Sequence, residues 1–253
     1  MLKSPNQQQT AQFSRSLFMP SETQDGCDYN GLRQNMVDDQ VRPVEVNDPR
    51  ILTAMRTLPR ELAVPPAERG FAYADRTLPL GDGRYLAQPM ITGRLVQSAR
   101  ISAGERVLVV AAGTGYLASV VACLDAQVVA LESDSALIAQ GHAYTEQVAP
   151  GVLWYHGPLA DGAPENAPFD VILFDGAITD IPAFCIGQIA TGGRVAGMMS
   201  KAGGTCSSFL AEPDQVITAD GSAGAFEGWA IRLGFDSPAP LIPELLPAPA
   251  FAF

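Results

Sequence analysis

The sequence predicts an α/β fold: a mostly parallel sheet with helices on both faces. Three observations carry that prediction. Short apolar runs rich in Val, Ile and Leu recur at 106–110, 127–132, 152–156, 169–174 and 193–199. Segments of helical length at 115–124, 134–147 and 181–190 separate most of them. Strands buried on both faces read as continuous apolar runs, and the helices between them supply the crossovers that parallel pairing needs. The third observation is Gly113-Thr114-Gly115, which directly follows the first run and precedes a helical segment.

Along the chain, residues 1–27 are rich in Gln, Ser and Thr and show neither helical nor strand periodicity. They are predicted to form a flexible N-terminal extension, leaving 28–253 as a single domain. Asn30 to Gln40 is expected to be a short helix. Asp48-Pro49 is a helix start, with a capping acid before a proline at the first helical position. Ile51, Leu52, Met55 and Leu58 follow at roughly helical spacing, and Pro59 ends the run. Pro65-Pro66 to Gly83 reads as loop, closing on the turn signal Gly81-Asp82-Gly83. Pro89 opens another helix, with Met90, Leu95, Val96 and Ala99 on its apolar face. Beyond the alternating region the signal weakens to short strands at Gln215–Ile217 and Trp229–Leu233. The proline-rich tail from Pro238 is expected to lie extended against the surface.

Composition narrows the functional classes. With 253 residues, 47% of them hydrophobic, the chain can bury one substantial core. A formal charge of −11 argues against nucleic acid as a partner. Met1 to Pro20 has no continuous apolar stretch, so no signal peptide is expected. The uncharged run from Val107 to Leu124 is broken by Gly113, Thr114 and Gly115, which excludes it as a membrane span. Cys27, Cys123, Cys185 and Cys206 are scattered without a CxxC pair, and the only histidines are His142 and His156. No metal site is expected, and scattered thiols fit a cytoplasmic location.

The residues that can carry chemistry cluster around the glycine loop. Gly113 and Gly115 let backbone N–H groups approach a ligand closely. Glu132 closes the next strand, where a carboxylate can accept hydrogen bonds from both hydroxyls of a ribose. The plainer alternative is a strand-to-helix turn followed by a surface acid. Asp175 follows the apolar run FDVILF and should also sit at the carboxyl end of a strand, either at a ligand site or as a helix cap. Arg84 and Arg94 read either as cations that attract an anionic substrate or, the plainer alternative, as solvated arginines. Phe71, Tyr73, Tyr85 and Met90 read either as the lining of a pocket or, the plainer alternative, as core residues. A full G-x-G-x-x-G is missing, since Leu117 and Ala118 follow the loop, which disfavours a nicotinamide dehydrogenase. No Gly-x-Ser-x-Gly supports a hydrolase.

Several longer blocks carry a more specific likeness: DPRILTAMRTLPREL, FAYADRTLPLGDGRYLAQPM, GERVLVVAAGTGYLASVVACL, GPLADGAPENAPFDVIL and IPAFCIGQIATGGRV. In order and spacing the chain resembles the protein-L-isoaspartate O-methyltransferases. The resemblance implies a Rossmann-like S-adenosylmethionine-dependent methyltransferase fold and S-adenosyl-L-methionine as cofactor. It implies as substrate the free carboxylate of an isoaspartyl residue in a damaged protein or peptide. Such a carboxylate is already ionised at neutral pH and needs no strong base.

By the same resemblance, Gly113, Thr114, Gly115 and Glu132 would hold the cofactor, with Asp175 added from its place at a strand end. Gly83, Gln88 and Pro89 would cover the substrate, and Ala87 stands where the family carries an active-site hydroxyl. Other departures are Tyr85 for a threonine, Val109 for an acid, Ala111 for the first loop glycine, and Gly157-Pro158-Leu159 for Gly-Asp-Gly. Asp175-Gly176-Ala177 replaces Thr-Ala-Ala. These changes gather at ligand-facing positions, which leaves open an alternative: a catalytically impaired relative acting as a binding or scaffolding protein.

Overall fold

The computed structural model describes residues 26–201, 204–217 and 223–247. Most of the expected N-terminal extension lies outside these residues. Helix α1 (Tyr29–Met36) is capped by Asp28, which accepts from the Gly31 N–H, and it runs on into a π-helical turn at Val37–Val41. Helix α2 (Pro49–Thr57) starts at Asp48, whose carboxylate accepts from the Arg50 N–H. The stretch read as loop up to Gly83 ends instead in a hairpin, β1 (Leu78–Gly81) and β2 (Arg84–Leu86). These strands are only four and three residues long, too short to show alternation in the sequence. Helix α3 (Pro89–Ala99) follows and ends at Arg100 in the left-handed region.

The main sheet then builds in sequence: β3 (Arg106–Val110), α4 (Tyr116–Ala122), β4 (Gln127–Glu132), α5 (Ser135–Val148), β5 (Leu153–His156), β6 (Phe169–Ile178), α6 (Phe184–Gln188), β7 (Ile189–Ser200), β8 (Cys206–Ile217) and β9 (Ala223–Asp236). Its order is β5-β4-β3-β6-β7-β8-β9. The first five in that order pair in parallel, and β8 and β9 close the sheet antiparallel. This is the Rossmann-like architecture expected from the sequence.

The apolar strands are buried on both sides with a period of two. Val107 and Val109 face a core that also holds Met36, Met55, Leu95 and Tyr116. Leu108 and Val110 face the opposite core with Ile172, Phe174, Cys185 and Phe209. All four β3 valines and leucine are fully buried.

Three expectations need correction. The helix read at 181–190 is only α6. The strands read as three and five residues are β8 and β9, of 12 and 14 residues. They are read short because Pro213 and Asp214 interrupt β8 and Gly224, Gly228 and Gly234 break the pattern of β9, residues that usually punctuate loops. The proline-rich tail lies over the surface as expected, with most of its described residues exposed, but it is anchored at one buried point. Ala177 of β6 donates to Pro240 O at 2.8 Å and accepts from the Ile242 N–H at 2.8 Å, and Ile242 is buried.

A packing test follows from α5. Gly141 lies flat against the Trp154 ring, where a β-carbon would overlap the indole, and Trp154 Nε1 donates to Thr145 Oγ1 at 3.0 Å. Helix propensity favours Gly141→Ala by about 1 kcal/mol, but forcing a methyl into a packed site costs about 1–3 kcal/mol. The expected outcome is a net loss of stability, read as a lower urea midpoint with an unchanged slope. A higher midpoint would show that the ring moves freely.

Candidate functional site

The strand order reverses at β3: the chain leaves it for β4 on one side and returns to β6 on the other. Such a switch point opens a crevice at the carboxyl ends of the strands. Four elements meet there: the loop after β3, the end of β4, an irregularity within β6, and the β1–β2 hairpin.

The loop after β3 takes a glycine-type backbone at alternate residues. Ala111, Gly113 and Gly115 have φ of 60°, 55° and 82°. A β-carbon on Gly113 would sit 2.9 Å from Leu80 Cδ1, so the hairpin packs directly on the loop. The Thr114 side chain is not brought to the crevice. It is buried and donates to Ala63 O at 2.5 Å, tying the loop to the short 3-10 turn at Arg60–Ala63.

Glu132, at the end of β4, has no exposed surface. Its Oε2 accepts from Gly113 N at 2.9 Å and from Arg84 Nε at 3.1 Å. Its Oε1 accepts from Ser133 N at 2.8 Å, Asp134 N at 3.2 Å, Ser133 Oγ at 3.3 Å and Arg84 Nη2 at 3.1 Å. Arg84 is therefore not solvated: only 4% of its surface is exposed. Its other edge grips Glu244 of the tail, Nη1 to Oε2 at 2.8 Å and Nη2 to Oε1 at 2.6 Å. Burial disfavours its charge, but the hydrogen bonds to Glu244 and Glu132 more than offset this and hold the guanidinium above its ordinary pKa. The hydrogen bond from Arg84 holds the Glu244 carboxyl below the usual range.

Asp175 sits where β6 slips register against β7, between Leu173 and Ala177. Such irregularities re-aim side chains. Its half-buried carboxyl lines a cavity and makes no hydrogen bond among the described residues. Burial, with a contribution from Glu132, pushes its pKa up to about 7 against the pull of Arg60 and Arg84. Arg60 is fully buried: Nε donates to Ala72 O at 2.7 Å, Nη2 donates to Ala87 O, and the guanidinium lies 4.8 Å over the Tyr116 ring. It thereby fixes the segment leading into α3. Gln88 is half-buried and its carbonyl accepts from Thr92 N; Pro89 is the buried first residue of α3. Gly83 lies in the exposed hairpin turn with Pro243 against it.

The crevice is split in two. A small cavity of about 30 Å³ lies among Ala87, Ile91, Asp175, Met198 and Ile242. An open groove of about 580 Å³ runs along Ser133, His156, Pro158 and Glu244. The Arg84 ion pairs and Ile242 stand between them. In this conformation the residues do not fit an adenosyl cofactor. Both Glu132 oxygens are taken by protein donors, leaving little for a ribose. Small-molecule sites span about 300–1,000 Å³; the cavity beside Asp175 holds about one water, and the groove, though large enough by itself, is walled off from it. Reading the sequence alone finds Gly113, Gly115, Glu132 and Asp175 but not Arg60, Ile242 or Glu244. The last two have no local signal, because Glu244 reaches Arg84 across 160 residues of chain.

The raised Asp175 pKa has a defined consequence for stability. Between about pH 4 and pH 7 the folded protein holds a proton on Asp175 that the unfolded chain, near 3.8, has released. The folded state thus binds more protons, and this group's contribution to stability falls as pH rises through that window. Asp175→Asn should match the parent near pH 4.5 and exceed it at pH 7.5, by on the order of 1 kcal/mol given partial exposure. Denaturant titrations at the two pH values check this, and equal differences at both would refute the shift.

Comparison with known proteins accords with this geometry. The family profile described as Protein-L-isoaspartate(D-aspartate) O-methyltransferase (PCMT) matches residues 32–201. A protein-L-isoaspartate O-methyltransferase of Koribacter versatilis is 37% identical over 64% of this chain and 74% of its own length. The protein-L-isoaspartate O-methyltransferase 2 of Marinobacter nauticus is 36% identical over 71% of this chain and 83% of its own. Among solved structures, a protein-L-isoaspartate O-methyltransferase superposes with a TM-score of 0.66 at 21% identity, covering 85% of this chain and 65% of the other. A putative one from Plasmodium falciparum, in complex with S-adenosyl-L-homocysteine, gives 0.63 at 16% identity over 83% and 96%. At these identities the superpositions speak for the fold, and the sequence matches speak for the family. The chain belongs to the protein-L-isoaspartate O-methyltransferase family.

Proposed function

We propose that this chain methylates the free carboxylate of isoaspartyl residues in damaged proteins or peptides, using S-adenosylmethionine, in the cytoplasm. The observation that carries the reading is the family match over 32–201, which takes in the hairpin, the glycine loop and Glu132 together. The location rests on the free thiols of Cys27, Cys123, Cys185 and Cys206 and on there being no helix, among the described residues, long and apolar enough to cross a membrane.

The contribution of this chain's own residues is positional. Arg60 holds the Ala87 carbonyl and so fixes the segment from Gly83 to Pro89 over the crevice. The apolar lining from Ile91 and Met198 keeps water scarce, which strengthens electrostatic contacts inside. No side chain is required as a strong base, since the accepting carboxylate is ionised at neutral pH.

The occupied Glu132 favours one second reading, a binding protein that retains the fold without the chemistry. Incubating the full chain with methyl-labelled S-adenosylmethionine and paired peptides separates the two. Methylation predicts base-labile label on the isoaspartyl peptide and at least about tenfold less on its aspartyl twin, a discrimination of roughly 1.4 kcal/mol. Equal background on both peptides would remove the enzyme reading.

A further inference from the structure

The tail and the expected cofactor compete for one space. Ile242 enters the crevice beside Gly176, where a β-carbon would come within 2.7 Å of Ile242 Cγ1, so the two fit only because residue 176 is a glycine. Pro243 sits against Gly83 in the same way, at 3.0 Å. Glu244 then reaches Arg84 and Ser133, with Ser133 Oγ donating to Glu244 Oε1 at 3.2 Å. Arg84 in turn caps Glu132. The segment thus walls the small cavity off from the open groove and locks the ribose-type acid.

Its attachments are few. It is held by two backbone hydrogen bonds to Ala177, which form a single bridge opposite Leu241, by the Glu244 ion pair and its contact with Ser133 Oγ, by Cys206 Sγ on Ala239 O at 3.5 Å, and by the buried Ile242 side chain. Leu241, Glu244 and Leu246 remain substantially exposed. A strand of the main sheet, by contrast, is bonded along its whole length.

We propose that residues 239–246 form a latch over the cofactor cleft, with Ile242 as its plug and Glu244 as its catch on Arg84. An adenosyl ligand gains Glu132 only when the latch leaves and Arg84 turns away. This inference rests on the proposed use of S-adenosylmethionine and adds to it a built-in competitor. Removing the segment joins the groove at Ser133 and His156 to the cavity at Asp175, making one cleft along the ends of β3, β4 and β6.

A latch of this kind lowers apparent affinity by the fraction of molecules that are open. Calorimetric titration of the full chain with S-adenosylhomocysteine is compared with that of Glu244→Gln, Ile242→Ala and the double variant. Each should bind about tenfold or more tightly than the parent. A second measurement needs no variant: saturating S-adenosylhomocysteine should speed hydrogen exchange at the Ala177 and Ile242 amides, which the latch alone protects. Equal affinity in parent and variants, or unchanged exchange at saturation, overturns the latch and leaves the cofactor assignment standing. No binding to any of the four proteins overturns both.

Discussion

A carboxylate with no exposed surface at the end of β4 is the constraint around which the rest of the crevice is arranged. Leaving an ionised Glu132 unpaired in the interior would cost several kcal/mol, so every neighbouring element contributes a donor. The glycine loop supplies the Gly113 N–H, the turn after β4 supplies two more, and the hairpin supplies Arg84. Each contribution fixes an element. Gly113 can point its N–H inward only because its φ is 55° and Leu80 leaves no room for a side chain. Arg84 can reach only because β1 and β2 fold over the loop. The hairpin, the loop and the end of β4 are thus held together by one buried charge.

That charge also explains why Arg84 is exchangeable. Breaking a buried ion pair by removing one partner typically costs about 3–5 kcal/mol, because the other charge is stranded. Here Glu132 would not be stranded, since three backbone N–H groups remain on it, and hydrogen bonds to a charged acceptor are worth about 1.5–3 kcal/mol each. Ribose hydroxyls arriving as Arg84 departs would restore two of the lost contacts. The guanidinium would meanwhile regain water, which relieves the burial that opposes its charge. Sharing between Glu132 and Glu244 thus makes Arg84 a switchable cap more than a fixed strut.

What could be read from the sequence divides along physical lines. β3, β4 and β6 are legible because strands buried on both faces leave unbroken apolar runs, and Val107 to Val110 is such a run. α2 and α3 are legible because Asp48-Pro49 and Pro89 mark their starts chemically. Glu132 and Gly113 are legible as a pair because both lie within one strand–turn–helix–strand unit. Their partner is not. Nothing near Arg84 distinguishes a buried arginine from a solvated one, since its two carboxylates come from 48 and 160 residues away. Arg60 is hidden for the same reason, its acceptors being carbonyls of Ala72 and Ala87 that every sequence carries. β8 and β9 are read short because half-exposed antiparallel strands tolerate the prolines, acids and glycines that punctuate loops.

The tail carries one anchor that its sequence does not reveal, and the reason bears on its role. Pro238, Pro240, Pro243 and Pro247 mark it as irregular, and irregular segments usually run over the surface. The same prolines suit a segment that docks and leaves. Each has its φ already fixed, so ordering the chain costs less entropy than ordering flexible residues would. Each also lacks an N–H, so the segment cannot form the continuous ladder that would make it a permanent strand. What remains is a stiff strip held by a few main-chain bonds, one buried isoleucine and one ion pair. Stiffness makes closure inexpensive, and sparse bonding makes opening accessible. Those are the two properties required of a competitor that must hold the cleft without sealing it.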